Sequence, residues 1–288
     1  MSIHKWIDKT SMAIAGKAVK KKYFSESVVS QHLSEYLDKI ELSIFQIEGE
    51  GFYKIDATYD DKTYEGGIAV EKWIGDEHPV IIYHHGAAEG SYDYSFKRIL
   101  GREKETIPAN LIAIQALFNH NNKEFMDSIA SLSNYTLMVA TSALIMEKLV
   151  VNLKQKGSPR VILCGTSLGG FVTNLHYTYF GGADVYCPML AGPFMGNALV
   201  ESAYTKVMSE LGKENARQVN AALNFDQDFS RKEDENIFPL MASDDQIVVM
   251  ALQSKHYKEK DMTIIPYGHA TGATKYSLLR EHITQFLN

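Results

Sequence analysis

Five consecutive residues, Gly165, Thr166, Ser167, Leu168 and Gly169, have the types and spacing that make a serine hydroxyl a nucleophile. A hydroxyl attacks a carbonyl carbon only when a base takes its proton and the fold strips it of competing contacts. A serine on the tip of a sharp bend, with glycines two residues to either side for room, meets the second need. With Gly and Ser each at about 7% of residues, chance supplies such a pentapeptide about 0.1 times in a chain of this length. The flanks add weight: Val161, Ile162 and Leu163 lead in as a strand, and Phe171, Val172, Leu175 and Tyr179 lead out at helical spacing. The chemistry also needs a base, an acid that fixes the base's tautomer, and donors for the oxyanion that forms. His269 follows the last strand expected along the chain, and Asp244 and Asp245 follow the one before it. In a parallel sheet the carboxyl ends of the strands share one edge, so these side chains can converge from distant positions.

The elements that would hold them begin after Asp76, where strands and helices alternate as crossover units do. Val80 to His84 reads as a buried strand, Tyr92 to Leu100 as a helix and Leu111 to Phe118 as a second buried strand. One unbroken helix is expected from Glu124 to about Leu153, because no Gly or Pro interrupts it before Gly157 and Pro159. The elbow strand and its helix follow, then a strand from Ala183 to Cys187 stopped by Pro188, strands Ile237 to Ala242 and Met262 to Ile265, and a closing helix from Tyr276 to Leu287. Upstream, Phe52 to Tyr59 and Gly66 to Trp73 alternate on either side of Asp60 and Asp61, the pattern of a hairpin. The fold class is therefore α/β, with a mostly parallel central sheet and helices on both faces.

Two segments lie outside that rhythm. The first forty residues read as two helices, from Ile3, Ile7, Ile14 and Ala18 and then Val28, Val29, Leu33, Tyr36 and Leu37. Residues 191–236 are too long for a loop and carry helical spacing (Val200, Tyr204, Val207, Leu211), so they read as an inserted helical cap. The expected organisation is a helical extension over residues 1–45, packed on a main domain of 46–288 that carries the cap at about 191–236.

The order Ser, Asp, His, with the serine flanked as G-x-S-x-G, resembles the α/β-hydrolase fold family of serine hydrolases. The resemblance runs from Phe52 to the C-terminus and leaves the N-terminal helices outside. It implies Ser167 as nucleophile and His269, within Tyr267, Gly268, His269, as base. Among Ala242, Ser243, Asp244, Asp245, Gln246, Ile247, Val248, the family's spacing implies Asp245 as the acid, although Ala242 stands where the family usually has Gly. It implies oxyanion donors at the backbone N–H of Leu168 and of Ala87, the latter in a His-Gly loop formed by His84, His85, Gly86 and Ala87. The implied activity is hydrolysis of a carboxylic ester, a small-molecule acyl substrate, through an acyl-enzyme and with no cofactor. The same apparatus serves thioesters, amides or acyl transfer, and some members of this fold bind ligands without turnover.

Other features bound the reading. A formal charge of −6 opposes nucleic-acid binding, which needs a surplus of clustered Lys and Arg. No run is read as membrane-spanning, and the lysines at 17 and 20–22 follow the apolar patch at 12–15, the wrong order for a secretory signal. Cys164 and Cys187 fall at ends of core strands, where a thiol packs as a small hydrophobe, and the expected compartment is the cytoplasm. The first helix, with Trp6 and several lysines, fits packing on its own domain or on a second copy of the chain better than a membrane surface. His84 and His85 are expected on opposite faces of their strand, in structural roles rather than on a metal. His120, His176 and His256 are assigned to surface or packing, and Asp226 and Asp228, an alternative acid by type, precede the strand rather than follow it. Phe194, Met195, Leu199, Tyr204 and Met208 of the cap fit an acyl pocket wall or simple packing.

Overall fold

The computed structural model describes residues 2–87, 89–257 and 261–287. Along the chain run α1 (Ile3–Ala18), α2 (Leu33–Lys39), β1 (Glu41–Leu42), β2 (Gly51–Tyr59), β3 (Lys62–Lys72), β4 (Val80–His84), α3 (Tyr94–Ile99), β5 (Asn110–Gln115), α4 (Asn122–Ser128) and α5 (Leu132–Gln155). Then follow β6 (Val161–Thr166), α6 (Leu168–Tyr179), β7 (Val185–Met189), and four short helices α7 (Met195–Val200), α8 (Glu210–Glu214), α9 (Ala216–Leu223) and α10 (Asp226–Phe229). The chain closes with β8 (Leu240–Ala242), α11 (Met250–Gln253), β9 (Thr263–Ile265), α12 (His269–Ala273) and α13 (Tyr276–Thr284).

Among the described residues nine strands form one sheet in the order β1-β2-β3-β5-β4-β6-β7-β8-β9. The pairings from β1 to β5 are antiparallel, and those from β5 through β9 are parallel. The hairpin turns on Asp60 and Asp61, both at positive φ (47° and 59°), the twist that a two-residue loop between strands demands. Successive residues of β4 serve opposite cores: Val80 and Ile82 pack with α5 and α6, whereas Ile81 and Tyr83 pack with α3 and α13. Burial on both faces explains why these strands read as continuous apolar runs.

Four departures from expectation have physical causes. The long helix is broken into α4 and α5 with no Gly or Pro at the break. There the carbonyls of Ile129 and Ala130 accept from Phe24 and Glu26, and Leu132 N–H donates to Ser27, so an extended N-terminal segment takes the backbone groups a continuous helix would need. That segment also removes Val28 and Val29 from the second helix, which starts at Leu33. Pro188 lies inside β7 rather than after it. Alternation aims the amide positions of 186, 188 and 190 toward β8; Tyr186 and Leu190 donate to Asn236 and Leu240, and the proline occupies the gap between. Finally, α5 is long and apolar enough by length and composition to cross a membrane, contrary to the reading above, but 72% of its most apolar window is buried in the protein.

Helix α1 inverts its own pattern. Ile3, Trp6 and Ile14 are exposed, and the residue it buries is Asp8.

Candidate active site

Ser167 links β6 to α6 at φ 57°, ψ −113°, a conformation that costs a non-glycine residue about 1–3 kcal/mol and persists only where the surroundings impose it. They do so through close backbone packing. A Cβ on Gly165 would stand 2.4 Å from the carbonyl carbon of Gly169, and one on Gly169 would stand 2.1 Å from the His84 carbonyl oxygen. The two glycines of the pentapeptide thus let α6 start directly against β4 and β6. The Ser167 N–H donates to Met189, which pins the bend to β7.

His269 opens α12 after β9, and its Nε2 lies 2.9 Å from Ser167 Oγ. Its Nδ1 lies 2.7 Å from Asp245 Oδ2. The other oxygen of Asp245 accepts from the N–H groups of Ile247 and Val248, both at 2.7 Å, so the carboxylate is fixed by its own turn. Asp244 points the other way, accepting from Ser2 Oγ at 2.6 Å with Lys5 Nζ at 3.4 Å. The two adjacent aspartates are therefore separated by geometry: Asp245 faces the histidine and Asp244 faces α1. Burial works against charge on His269, but the Asp245 carboxylate, by charge and hydrogen bond, and Asp8 beyond it outweigh that penalty and raise the imidazole's pKa. Burial pushes Asp245 upward, against the pull of His269 and its two N–H donors.

Beside Ser167 the loop after β4 supplies the remaining groups. Gly86 N–H is occupied, donating to Glu89 Oε1 at 2.6 Å, and the same carboxylate accepts from Ser95 N–H and Oγ. Ala87, the next residue, lines the cavity at Ser167 together with Leu168, whose N–H opens α6 and has no carbonyl within the helix to bond. His84 and His85 stack at 4.6 Å and 25°, not on opposite faces, because β4 ends at His84 and His85 has left the pleat. Burial depresses both imidazoles, His85 to about 4, and His85 is tied to Asn119 and to its own loop. Each ring is held through its Nδ1 to the carbonyl of the following residue. Among the described residues no group of His, Cys, Asp or Glu could hold a metal ion.

The cavity is walled by Tyr135 of α5, Phe171 of α6, Met195, Ala198 and Leu199 of α7, and Tyr204 in the turn that follows it. It is narrow, with room for roughly one water molecule. Of the cap residues singled out in sequence, Met195, Leu199 and Tyr204 reach the cavity. Phe194 packs on His256, and Met208 lies in the core with its backbone bridged to Tyr23. His120 lies between Glu65 and Glu124 near the surface, His176 is buried on Glu147 and Tyr186, and Asp228 pairs with Arg231; none reaches the site. Two residues near the site escaped sequence reasoning, Glu89 and Asp8. Glu89 had a weak signal in its position three residues past Gly86, and Asp8 had none, since an acidic residue in an amphipathic helix reads as solvated.

No family model matches the sequence, nor does any curated protein. Among solved structures, this chain is similar to acetyl xylan esterase 1 from Thermoanaerobacterium sp. JW/SL YS485, with a TM-score of 0.54 and 14% identity over 96% of this chain and 99% of that one. It is also similar to Est1E from Butyrivibrio proteoclasticus, with a TM-score of 0.55 and 10% identity over 83% of this chain and 98% of that one. A third similar structure is the acylaminoacyl peptidase of Pyrococcus horikoshii, at a TM-score of 0.54 and 13% identity over 84% of this chain. Here the match spans only 42% of the peptidase's length. With a mixed nine-stranded sheet, helices on both faces and these structural neighbours, the chain has the α/β-hydrolase fold.

Proposed function

We propose that this protein is a serine hydrolase that cleaves a carboxylic ester carrying a short acyl group. The observation that carries the reading is the unbroken line Ser167 Oγ, His269, Asp245, with contacts of 2.9 and 2.7 Å. His269 takes the proton of Ser167 as the hydroxyl attacks the ester carbonyl, and Asp245 holds the ring with Nδ1–H turned away from the serine. The tetrahedral oxyanion is received by the N–H groups of Leu168 and Ala87, and its collapse expels the alcohol, which takes the proton back from His269. Water then repeats the sequence on the acyl-enzyme, with the same histidine as base. The esterases of similar fold support an ester as the bond cleaved. The narrow apolar cavity beside Ser167, lined by Leu199 and Tyr204, supports a short acyl group such as acetyl or propionyl over a long chain. Two buried thiols without a disulfide, Cys164 and Cys187, fit the cytoplasm as the compartment proposed.

The test is a series of p-nitrophenyl esters from acetate to decanoate, run beside a thioester and an anilide, with wild type and Ser167→Ala. The reading expects highest kcat/KM on acetate or propionate, and fluorophosphonate labelling that disappears in Ser167→Ala. Labelling that persists at full strength in that variant rejects Ser167 as nucleophile, and a preference for the anilide rejects the ester.

A further inference from the structure

Helix α1, outside the sheet and outside the resemblance read from sequence, sends a carboxylate into the catalytic corner. Asp8 is completely buried. Its Oδ2 accepts from the His269 N–H at 2.8 Å and from the Gln246 N–H at 3.0 Å, and its Oδ1 accepts from the Ala270 N–H at 3.0 Å. One side chain thus joins the turn that bears Asp245 to the turn that bears His269. The hydrogen bonds to its carboxylate come from three backbone N–H groups. A buried carboxylate held this way is expensive and survives where the arrangement around it is specific.

Gly268 gives an independent sign of the same contact. A Cβ at this position would stand 2.8 Å from Asp8 Oδ2 and 3.0 Å from its Cγ, although the local backbone (φ −89°, ψ −178°) is open to any residue. The glycine before the histidine is thus needed for the approach of Asp8, not for its own conformation.

We propose that Asp8 is a positioning residue of the active site, fixing the base turn against the acid turn and adding a second negative charge behind His269. The proposal rests on the reading of Ser167, His269 and Asp245 as a triad. Three consequences follow. The imidazole is held with its Nε2 toward Ser167 from the backbone side as well as from Asp245. Its protonated form, which appears as Ser167 is deprotonated, is favoured by two carboxylates instead of one. And α1 is a component of the site, docked there by Asp8 and, at its outer end, by Ser2 and Lys5 on Asp244 and His4 on Thr271. The titratable groups that contact His269 are Asp245 from the acid turn and Asp8 from α1; around them, Asp244 pairs with Lys5 of α1, His4 of α1 packs on Tyr267, and Lys275 lies over the same tyrosine.

The test uses the full chain with Asp8→Asn, which keeps the side chain's shape and removes its charge, and Gly268→Ala, which keeps the charge and displaces it. Two quantities are read: the titration of the His269 ring by NMR, and the acid limb of kcat/KM on p-nitrophenyl acetate. Asp8→Asn is expected to move the His269 midpoint to lower pH by on the order of one unit, the scale for losing a nearby buried charge. The acid limb moves with it, and kcat falls about tenfold while KM changes less, as a misplaced base predicts. A merely structural role would lower Tm and leave the midpoint alone, and an unchanged midpoint in folded Asp8→Asn overturns the proposal. Should that variant not fold, Gly268→Ala decides: a shift in the same direction supports the proposal and an unmoved midpoint overturns it. Failure of wild type to label with fluorophosphonate would sink the triad reading alone, because the NMR midpoint still reports on Asp8.

Discussion

Replacing Gly169 with Ala puts a methyl group in place of a hydrogen at a tightly packed point of the site. The new Cβ would stand 2.1 Å from the His84 carbonyl oxygen, 2.6 Å from its carbon and 3.0 Å from the His85 carbonyl oxygen. Ordinary contact begins at 3.4 Å, so the nearest pair is about 1.3 Å too close, and every atom in the way is backbone. No rotamer can relieve it. Either the start of α6 must move away from the end of β4, or that end must move. The first carries Ser167 and Leu168, and the second leads within three residues to Ala87, so both routes separate the proposed oxyanion donors. Misplacement of about 1 Å costs about a hundredfold in rate, and loss of one oxyanion donor about 10²–10³-fold. The expected fall in kcat/KM on p-nitrophenyl acetate is therefore about 10²–10³-fold. Overpacking of a rigid core contributes about 1–3 kcal/mol of destabilisation, which for a domain of this size lowers Tm by roughly 2–10 °C. Gly101→Ala is the control, since its nearest neighbours stand at 3.6 Å and its φ is ordinary; activity and Tm should match wild type. If Gly169→Ala retains activity within about threefold and melts with wild type, the elbow does not need this contact and the account of it is wrong.

Two further substitutions separate neighbouring readings. Asp245→Asn should lower kcat by about 10³–10⁴-fold, because the carboxamide no longer fixes the histidine's tautomer, whereas Asp244→Asn, which loses only Ser2 and Lys5, should stay within a few fold; equal losses would show that the two aspartates are not divided as their hydrogen bonds divide them. Leu199→Ala should enlarge the cavity at Ser167 and shift the butyrate-to-acetate ratio of kcat/KM upward by roughly tenfold, about what one or two methylenes contribute in an apolar pocket; an unchanged ratio would mean that the acyl group lies elsewhere.

Much of the fold was legible because burial on both faces leaves a strong signal. The runs at Val80–His84 and Val161–Thr166 are apolar up to His84 and Thr166 at their ends, and both appear as central parallel strands. Ser167 and His269 were legible for a different reason: strand ends sit at one edge of a parallel sheet, so chain order alone predicts their meeting. The break after Ser128 was not legible, because its cause is a hydrogen-bonded segment more than a hundred residues away. Pro188 misled in the opposite sense, since a proline can stay inside a strand when the residues two before and two after carry the ladder, as Tyr186 and Leu190 do.

What depends on local pattern and on order was therefore set by the sequence: strands, crossover helices, the glycines that permit a sharp bend, and three side chains just past the ends of β6, β8 and β9. Only the tertiary structure decided what depends on direction. It turned Asp245 toward His269 and Asp244 toward α1, brought Glu89 beneath the loop of Ala87, and buried Asp8 while leaving Ile3, Trp6 and Ile14 of the same helix exposed. Hydrophobic periodicity reports how much apolar surface a helix offers and not which face the rest of the protein needs. A single carboxylate meeting three N–H groups that cannot be satisfied within their own turns can outweigh that periodicity, and nothing in a one-dimensional pattern records those N–H groups.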